Sequence, residues 1–574
     1  MTLTQSKSKN SISLYATKSI RENGRKRSIV VEKLGTVAEL EKKLDGRDPI
    51  EWAEEYVKEL TRLDQEGRRE IIVKYSPVKL IKKDKQRLYY GGYLFLQRIY
   101  YDLGIDKICK KIADKRKFNF DIDSVLSRLV YGRIIFPASK LATYELSKKF
   151  FEQPRFEIQH VYRALEVIGE EMDFIQAELY KRSTKVIDRM AGVLYYDCTN
   201  YFFEIEQDEG LKQYGYSKEH QPKPIVQMGL FMDGDGLPLA FSIQEGNTNE
   251  QTTLRPLEKK ILSDFELSKF VVCTDAGLSS AANRKFNDVM GRAFITTQSI
   301  KMLKDHLEKW ALSPHGWRLS GGEPGKKKLY DISEIDEAIH KESTFYKEEW
   351  INENDLEQRL IVTYSIKYRE YQRRIRDGQV GRAEKLITTN TTKLKKAHQN
   401  DYKRFISKVS ATNEGEVAEN DSYFINMQAI EAEEAFDGFY AVCTNLEDDV
   451  ADIVKVNHRR WEIEECFRIM KHEFKARPVY VKRDERVKAH FMTCFISLLI
   501  YRILEKRLEE KFTCENILKE LRDMNYLEVP GEGYVPAYTR TDFTDALHNA
   551  FGFRTDYQIL THSHMKYIFK QSKK

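Results

Sequence analysis

Five segments rich in β-branched and aromatic residues lie between residues 193 and 298, and their order constrains the fold more than any other feature of the sequence. The longest is Val193–Glu204, and Ile225–Met232 and Leu237–Ile243 flank the tetrapeptide Asp233–Gly236, whose sequence DGDG predicts a tight hairpin turn. The remaining segments are a predicted helix, Asn249–Leu262, and two strands, Phe270–Thr274 and Phe294–Gln298. We therefore predict an α/β fold with a five-stranded mixed sheet in the order β-β-β-α-β-α-β.

Two aspartates stand at unusual places in these strands. Asp197 lies inside the first strand, where a carboxylate among apolar and aromatic residues is costly unless it is paired or binds a cation. Asp275 directly follows the fourth strand, and the carboxyl end of a sheet strand is a common place for a functional group. Each has a simpler interpretation, since strand-end aspartates often cap the next helix or turn. The predicted sheet makes the two strands neighbours and sets the carboxylates side by side.

A third acidic residue lies in a helix predicted over Val456–Lys475. Its apolar residues recur at helical spacing and predict one buried stripe: Ile463, Phe467, Met470 and Phe474. An adjacent face carries Arg460, Glu464, Arg468 and Lys471. An ordinary salt-bridged helix surface gives the same pattern. Glu462 and Glu465 point elsewhere around the helix, so only one of the three glutamates can face the sheet.

Asp197, Asp275 and Glu464 are more specific together than singly. Three carboxylates that converge without a basic partner repel one another, and divalent cations remove that repulsion. Hard oxygen ligands suit Mg²⁺, which keeps waters for a substrate, and Mn²⁺ can substitute for it. Two such ions can clamp the attacking and leaving oxygens of a phosphodiester displacement.

Arg460, Glu464 and Lys471 match the spacing of a known motif: Tyr, two residues, Arg, three residues, Glu, six residues, Lys. On this motif the sequence resembles the DDE transposases of the IS4-type superfamily, and most closely the IS1634-like insertion-sequence transposases. The segments Tyr214–His220 and Glu245–Thr248 are also similar to that group. Asn457 departs from the motif, because it stands where the tyrosine belongs.

The resemblance implies an RNase H-like catalytic core interrupted by an insertion domain, with Asp197, Asp275 and Glu464 as catalytic residues that hold two Mg²⁺ ions. It implies cleavage and strand transfer of double-stranded DNA, at terminal inverted repeats and a target, by a homodimer on paired ends in the bacterial nucleoid. It also implies that Arg460 and Lys471 contact DNA phosphates. Two alternatives remain open: a metal-dependent DNA nuclease, and a catalytically inactive, domesticated DNA-binding protein.

The sequence divides into regions of different character. The predicted boundaries are a basic β/α segment at 1–80, a mainly helical and DNA-binding region at 81–190, the first part of the core at 191–300, an insertion domain at 301–445, the Glu helix at 446–510 and a C-terminal tail region at 511–574. Arginine and lysine on the outer faces of the N-terminal helices suit DNA binding, and a solvated helical domain is an equal interpretation of any one helix.

The insertion contains a strongly basic segment, residues 367–408, predicted to be helical. It has 13 Lys and Arg against 4 acids, a surplus of +9, whereas the whole chain carries only +6. We predict that Arg373, Arg374 and Arg376, together with Arg468, contact DNA phosphates, and the alternative is a solvated helical hairpin. Related enzymes hold a flipped base on aromatic residues, for which Trp310, Trp317 and Trp350 are candidates, although core packing is the more common role of a tryptophan.

Composition excludes several other classes. The seven cysteines are scattered singly, which favours a reducing cytosol and excludes a zinc ribbon. No uncharged apolar run approaches the length of a membrane span, the longest being Phe491–Ile500, and the N-terminus has no apolar signal region. Phosphate-binding glycine loops and nucleophile elbows are missing, which disfavours a small-molecule enzyme.

Overall fold

A computed structural model describes residues 1–8, 11–22, 25–44, 48–66, 71–73, 76–321, 328–389, 401–411 and 417–574. The chain forms two units. One contains Met1–Gly91 and Asp523–Lys573, and the other contains Gly92–Arg522 with the last residue.

The first unit begins with an antiparallel sheet followed by helices, as the sequence predicts. Its N-terminal elements are β1 (Thr2–Ser8), β2 (Ser11–Glu22), β3 (Arg25–Thr36), α1 (Val37–Lys43), α2 (Pro49–Glu66) and β4 (Leu88–Tyr90). A capping box starts α1, because Thr36 accepts from the Glu39 N–H while the Glu39 carboxylate accepts from the Thr36 N–H. Leu14, Leu40 and Ala53 form its small buried core.

The second unit begins with six helices, which confirms the prediction of a helical region there. They are α3 (Tyr93–Asp102), α4 (Ile105–Lys115), α5 (Ile122–Ile135), α6 (Lys140–Ser147), α7 (Ile158–Glu170) and α8 (Met172–Ser183). Asp121 and Ser139 cap the N-termini of α5 and α6.

The five predicted strands and their helices are all present and in the predicted order. They are β5 (Val193–Phe202), β6 (Ile225–Asp233), β7 (Pro238–Glu245), α9 (Glu250–Asp264), β8 (Val271–Thr274), α10 (Ala281–Phe286) and β9 (Ala293–Gln298). β5 pairs with β8, and β8 with β9, in parallel, while β6 and β7 are antiparallel to their neighbours. The core is therefore mixed α/β, with β5 beside β8.

The predicted insertion does not stand apart from this sheet. Its elements are α11 (Asp305–Leu312), β10 (Arg318–Leu319), β11 (Thr344–Glu353), β12 (Leu356–Ser365), α12 (Ile366–Thr389), β13 (Ile406–Ala411), β14 (Val417–Ile425), α13 (Met427–Glu434) and β15 (Phe439–Thr444). β15 pairs with β9 and extends the sheet to nine strands in the order β10-β11-β12-β15-β9-β8-β5-β6-β7. The five-strand count was too low because the strand at the edge of the predicted sheet, β9, accepts β15 through backbone hydrogen bonds, which side-chain patterns do not reveal.

The remaining elements complete both units. They are α14 (Val450–His458), α15 (Trp461–Arg468), a π-helical turn (Ile469–Glu473), α16 (Asp484–Arg507), α17 (Cys514–Asp523), β16 (Asn525–Val529), β17 (Gly533–Pro536), α18 (Asp542–Phe551), β18 (Leu560–Thr561) and α19 (His562–Ser572). β16 pairs with β4 and β17, so residues 525–572 fold with the N-terminal unit and are not a simple tail.

The helix predicted over residues 456–475 is interrupted. Arg459 and Arg460 separate α14 from α15, and the last turn is π-helical, a variation that frequently accompanies functional sites. The predicted apolar stripe is confirmed, since Ile463, Phe467, Met470 and Phe474 are all buried.

The DGDG turn between β6 and β7 anchors α15 on the sheet. The buried Asp233 carboxylate accepts from the N–H groups of Asp235 and Leu237 and pairs with Arg189 at 2.6 Å. Gly236 has φ +79°, and a Cβ there would lie 2.2 Å from a carboxylate oxygen of Glu462 on α15. Only glycine therefore combines this backbone conformation with so close an approach of the helix.

The most apolar helix lies inside the second unit. Among the described helices only α16 is long and apolar enough to cross a membrane, and 94% of its apolar window is buried in the protein. It is longer than the apolar run Phe491–Ile500 because buried polar residues such as His490 and Arg502 extend it. All seven cysteines are free and buried.

Candidate functional site

Two neighbouring parallel strands place Asp197 and Asp275 at the same level. The β5–β8 ladder pairs Tyr195 with Cys273, and the two aspartates lie two residues beyond that pair. Because side chains alternate along a strand, both carboxylates lie on the face that carries Tyr195 and Cys273. Asp197 is half-buried within β5, and Asp275 is half-buried where β8 ends.

Each aspartate uses one carboxylate oxygen locally. Asp197 Oδ1 accepts from the N–H of Cys198 at 2.7 Å, and Asp275 Oδ1 accepts from the N–H of Leu278 at 3.1 Å. The capping role considered for Asp275 is therefore real. In the part of the chain that the structure describes, neither Oδ2 makes a hydrogen bond, so one oxygen from each strand remains for another partner.

The junction between α14 and α15 lies over this face of the sheet. Tyr195 donates its hydroxyl to the Val456 carbonyl at 2.8 Å, and the Cys273 thiol contacts Asn457 Oδ1 at 3.6 Å. Arg460 follows at the junction itself. Burial opposes its charge, but Tyr440, Asp275, Cys273 and Asp197 outweigh that effect and raise the pKa of Arg460. The guanidinium is thereby held beside both aspartates.

Lys218 is a second cation beside Asp197. Its ammonium donates to the Cys198 carbonyl at 2.5 Å and pairs with Glu250 at 3.2 Å. Burial and Asp275 raise the pKa of Asp197 to about 6, although Lys218, the Cys198 N–H and Arg460 lower it. Lys218 and Arg460 therefore flank Asp197 and offset part of the repulsion from Asp275.

Lys471 approaches the same carboxylate from the π-helical turn. Burial and the neighbouring Lys218 lower the pKa of Lys471 to about 8, and Asp197 opposes that shift. Its ammonium pairs with Glu219 at 3.2 Å and lies 5.5 Å from the Tyr201 ring centroid. Lys471 therefore stands at the site, as the motif spacing predicts.

Glu464 faces a neighbouring cavity. Its side chain is 62% exposed, and its Oε1 lies 3.9 Å from Arg460 Nη1. Both residues line a cavity of about 590 Å³ together with Tyr368, Tyr371 and Trp461. Among the described residues, the three predicted carboxylates do not form a set whose ligand atoms all lie within 4.8 Å of one another. Arg460 is the connection between Glu464 and the two aspartates.

The other two glutamates of α15 are engaged elsewhere. Glu462 pairs with Arg459 at 3.0 Å and lies 3.6 Å from Arg502, and Glu465 pairs with Arg468. Glu464 is thus the glutamate of α15 that is in contact with Arg460.

Asn457 stands where the motif has tyrosine, and a tyrosine from another element lies against it. The Asn457 amide donates to the Tyr440 hydroxyl at 2.8 Å, and that hydroxyl also bonds Thr297 at 2.7 Å. Tyr440 is in β15, and its ring stacks on His458 with centroids 6.4 Å apart. The buried amide of Asn457 therefore fixes an aromatic hydroxyl from the sheet close to Arg460.

The other predicted DNA contacts differ in their surroundings. Arg468 is half-exposed, pairs with Glu465 at 2.5 Å and lies 3.8 Å from Glu473, so the structure does not bring it to the aspartates. Arg373 and Arg374 are exposed on α12. The prediction that Arg376 contacts DNA is corrected by its surroundings. Arg376 is 5% exposed and forms a two-point ion pair with the equally buried Asp437, which leaves it inaccessible to DNA.

The basic segment is helical only in part. α12 ends at Thr389, and Tyr402–Phe405 is a 3₁₀ turn that leads into β13. Residues 390–400, which include Lys393, Lys395 and Lys396, lie outside the described residues.

The three candidate tryptophans are not equivalent. Trp317 is fully buried and belongs to the core, so it cannot receive a base. Trp310 packs partly against the same core. Trp350 is 47% exposed on β11.

Three site residues were missed from the sequence. Lys218 lies within the motif-like segment Tyr214–His220, which was the available signal. Trp461 lies next to Arg460 within the motif, which was its signal, whereas Tyr440 had none, since an aromatic residue on a strand usually packs in the core. Trp461 is 61% exposed beside Glu464.

The residues present fit a divalent cation in part. Asp197 and Asp275 offer two hard oxygens on one face, and the raised pKa of Asp197 shows a carboxyl that a cation would stabilise in its charged form. Glu464 would complete the ligand set only if it exchanged its contact with Arg460 for the cation.

The comparison with protein families identifies one class. A family model described as the transposase DDE domain matches residues 202–500, a range that begins five residues after Asp197 and includes Asp275 and Glu464. A solved structure of piggyBac transposase, in a synaptic complex with hairpin DNA, is similar with a TM-score of 0.36 and 9% identity, over 76% of this chain and 82% of that one. No curated protein matches the chain in sequence.

Proposed function

From the premise that this chain belongs to the family of transposase DDE domains, we propose that it cuts DNA at the ends of an insertion sequence and joins them to a target. Asp197, Asp275 and Glu464 are the proposed catalytic carboxylates. The observation that carries the proposal is the placement of Asp197 and Asp275 at one level of two parallel strands, each with a carboxylate oxygen to spare.

The finer parts of the proposal follow from the same site. The core around β5, β8 and β9 is of the RNase H type, the group belongs to the IS4-type superfamily with an IS1634-like insertion, and excision is cut-and-paste. The partner is double-stranded DNA, held by a homodimer on paired ends. The mixed sheet order supports the RNase H type of core, and the basic helix α12 supports the DNA partner.

The residues of the chain hold and orient the reacting groups. Asp197 and Asp275 would hold the cations, Mg²⁺ or Mn²⁺, with Glu464 as the third ligand. When bound, the metal supplies activation of the attacking hydroxyl and neutralisation of the phosphate charge. Arg460 then grips a phosphate with its planar fork, and Lys471 adds a point charge. No covalent intermediate with the protein is needed, so positioning carries the chemistry.

Arg460 also prepares the site before DNA arrives. Its contact with Glu464 and its proximity to both aspartates partly neutralise the carboxylates in the absence of a cation. If Glu464 served as a cation ligand, the guanidinium would lose that partner and would be available to a phosphate. The same arginine thereby serves the carboxylates and the substrate in turn.

Cleavage of DNA that carries the element's terminal repeats tests the proposal. Asp197→Asn and Glu464→Gln are expected to abolish Mg²⁺-dependent cleavage while the protein stays folded. Glu465→Gln is the matched control, because Glu465 is on the same helix but pairs with Arg468. Full activity of either site variant would contradict the assignment.

Two further measurements separate the alternatives. A nuclease would cut but would not join a pre-cleaved 3′-OH end to a target, whereas a transposase performs both reactions. An inactive DNA-binding relative would bind the ends without cutting them. Inverted repeats on either side of the coding region would support the transposase directly.

A further inference from the structure

A basic cavity of about 230 Å³ lies within the second unit, apart from the aspartates. Its lining includes five residues with basic side chains: Arg133, Lys140, Lys475, Arg477 and His490. Among the residues that the structure describes, no aspartate or glutamate lines it, and its other residues are Pro137, Ala138, Ser139, Pro478, Tyr480 and Val481. The cavity therefore concentrates positive charge in a concave site.

Lys140 is the most informative of these residues. It is 94% buried, since its relative exposure is 6%, and it lines the cavity. Within the described part of the chain its ammonium makes no hydrogen bond and no ion pair. Burying an unpaired ammonium is costly, so an arrangement of this kind calls for an anion that is supplied from outside the chain.

The surroundings of Lys140 add positive potential. Arg133 is held rigidly, because it donates to the carbonyls of Phe474 at 3.0 Å and of Ala138 at 3.2 Å. This guanidinium disfavours the charged form of Lys140, and the Cys494 thiol opposes that effect. Lys140 also opens α6, an eight-residue helix whose N-terminal N–H groups carry the positive end of the helix dipole.

The pKa values agree with this geometry. Burial and Arg133 lower the pKa of Lys140 to about 7. Burial, Lys140 and Arg133 likewise lower the pKa of His490, whose Nε2 bonds the Ala476 carbonyl at 2.8 Å. Both groups therefore tend to lose their protons in the empty cavity, and a bound anion would favour their charged forms.

The cavity is connected to the site by an ion-pair chain. Arg477 on its wall pairs with Glu219, and Glu219 pairs with Lys471, which stands beside Asp197. Lys475 and Arg477 follow directly on the π-helical turn that carries Lys471. A ligand in the cavity would thus lie on the same face as DNA bound at the aspartates.

We infer that this cavity binds a phosphate group, and that in the working protein it is a backbone phosphate of the bound DNA. A tetrahedral anion fits the volume, and the lysine, arginine and helix N-terminus are the donors that phosphate prefers. The identification of DNA as the source rests on the proposed function, whereas the phosphate chemistry rests on the cavity alone.

Inorganic phosphate tests the chemistry without DNA or catalysis. Phosphate should raise the melting temperature of the full chain, compared with chloride at matched ionic strength, by mass action on the folded state. Lys140→Met should abolish that rise, and Lys148→Met, at the other end of α6, should retain it. Without phosphate, the melting temperature of Lys140→Met should be no lower than that of wild type, because this substitution removes an unpaired buried charge.

Duplex DNA tests the source of the phosphate. In Lys140→Met, the slope of the logarithm of the DNA-binding constant against the logarithm of the salt concentration should fall in magnitude by about 1. Binding should weaken equally on any DNA sequence. Lys475→Asn on the cavity rim is a second variant, since asparagine tolerates the positive φ of 45° there, and it should act in the same direction.

The outcomes separate cleanly. Loss of the phosphate effect with a reduced DNA slope supports the inference in full. If Lys140→Met loses the phosphate effect but its salt slope for DNA is unchanged, the cavity is a phosphate site and DNA is not the source of the phosphate. This conclusion holds whatever the cleavage assays show. If inorganic phosphate stabilises wild type and Lys140→Met equally, and the slopes are the same, the inference is overturned.

Discussion

Arg460 Nη1 lies 3.9 Å from Glu464 Oε1, and the same guanidinium is close enough to Asp197 and Asp275 for both to raise its pKa. One arginine therefore bridges the exposed glutamate of α15 and the two aspartates of the sheet. The arginine thus links the sheet to the helix, although among the described residues the three carboxylates do not converge.

Arg460 is expected to matter for the reaction more than for affinity. Arg460→Gln should lower the rate of DNA cleavage on the order of 10² to 10³-fold, because it removes a charged donor from the reacting phosphate. Its effect on DNA affinity should be that of one phosphate contact. Single-turnover cleavage at saturating protein measures the rate separately from binding.

Arg468→Gln is the control for that experiment. Arg468 is on the same helix but pairs with Glu465, so we expect its cleavage rate to stay within about twofold of wild type. Equal losses in the two variants would show that charge on α15, and not the position of Arg460, is what matters.

The buried ion pair of α12 is expected to stabilise the fold and not to bind DNA. Arg376→Met leaves the Asp437 carboxylate, 5% exposed, without its two-point partner and should cost about 3 kcal/mol of unfolding free energy. Arg374→Met, two residues away and exposed, should change stability by less than about 0.5 kcal/mol. Urea unfolding of both variants makes the comparison.

Exposed arginines of α12 are expected to carry the phosphate contacts proposed for it. Reversing Arg373 and Arg374 together to glutamate should reduce the slope of log K against log salt by about 2. The matched control is reversal of the adjacent lysines Lys259 and Lys260 on α9, which should leave the slope near wild type. If both pairs behave alike, α12 is a solvated surface.

Glu258 makes the stability of the second unit depend on pH. Its side chain is fully buried, accepts from the Asn287 amide at 3.1 Å and lies 3.8 Å from Arg292. Burial raises the pKa of Glu258 from 4.5 to about 7, so the folded protein binds this proton more tightly than the unfolded chain. The stabilisation that this proton adds to the free energy of unfolding is complete below pH 4.5 and is lost as pH rises through 7.

Glu258→Gln should remove that dependence. We expect the difference in unfolding free energy between wild type and variant to change by on the order of 3 kcal/mol between about pH 4.5 and pH 8. Glu357→Gln, on the exposed face of β12, should follow the wild-type curve. If the unfolding free energy of Glu258→Gln followed the wild-type curve at every pH, the assignment would be contradicted.

Much of the core could be predicted because its signals are local. Alternating apolar and aromatic residues gave the five strands β5 to β9, and helical spacing gave the buried stripe through Ile463 and Phe474. The register of β5 against β8 was not visible in either pattern. It follows from backbone pairing, and it is what places Asp197 beside Asp275.

Other parts of the site could not be predicted, because they depend on residues far apart in the sequence. Nothing near Asn457 indicates that Tyr440 supplies the aromatic hydroxyl there, or that Lys218 and Arg460 both flank Asp197. Burial likewise divides three similar arginines, since Arg373 and Arg374 are exposed and Arg376 is enclosed with Asp437. A charge count treats all three alike.

The sequence by itself determined the chemistry available to this protein: one aspartate inside a strand and another after a strand, the basic surplus in one segment and the spacing of the motif from Arg460 to Lys471. Only the tertiary structure decided which of these groups meet, which are buried and which stay open to DNA. The physical reason is that side-chain type and periodicity are properties of neighbouring residues, whereas pairing of strands, desolvation and electrostatic proximity arise from contacts between distant segments.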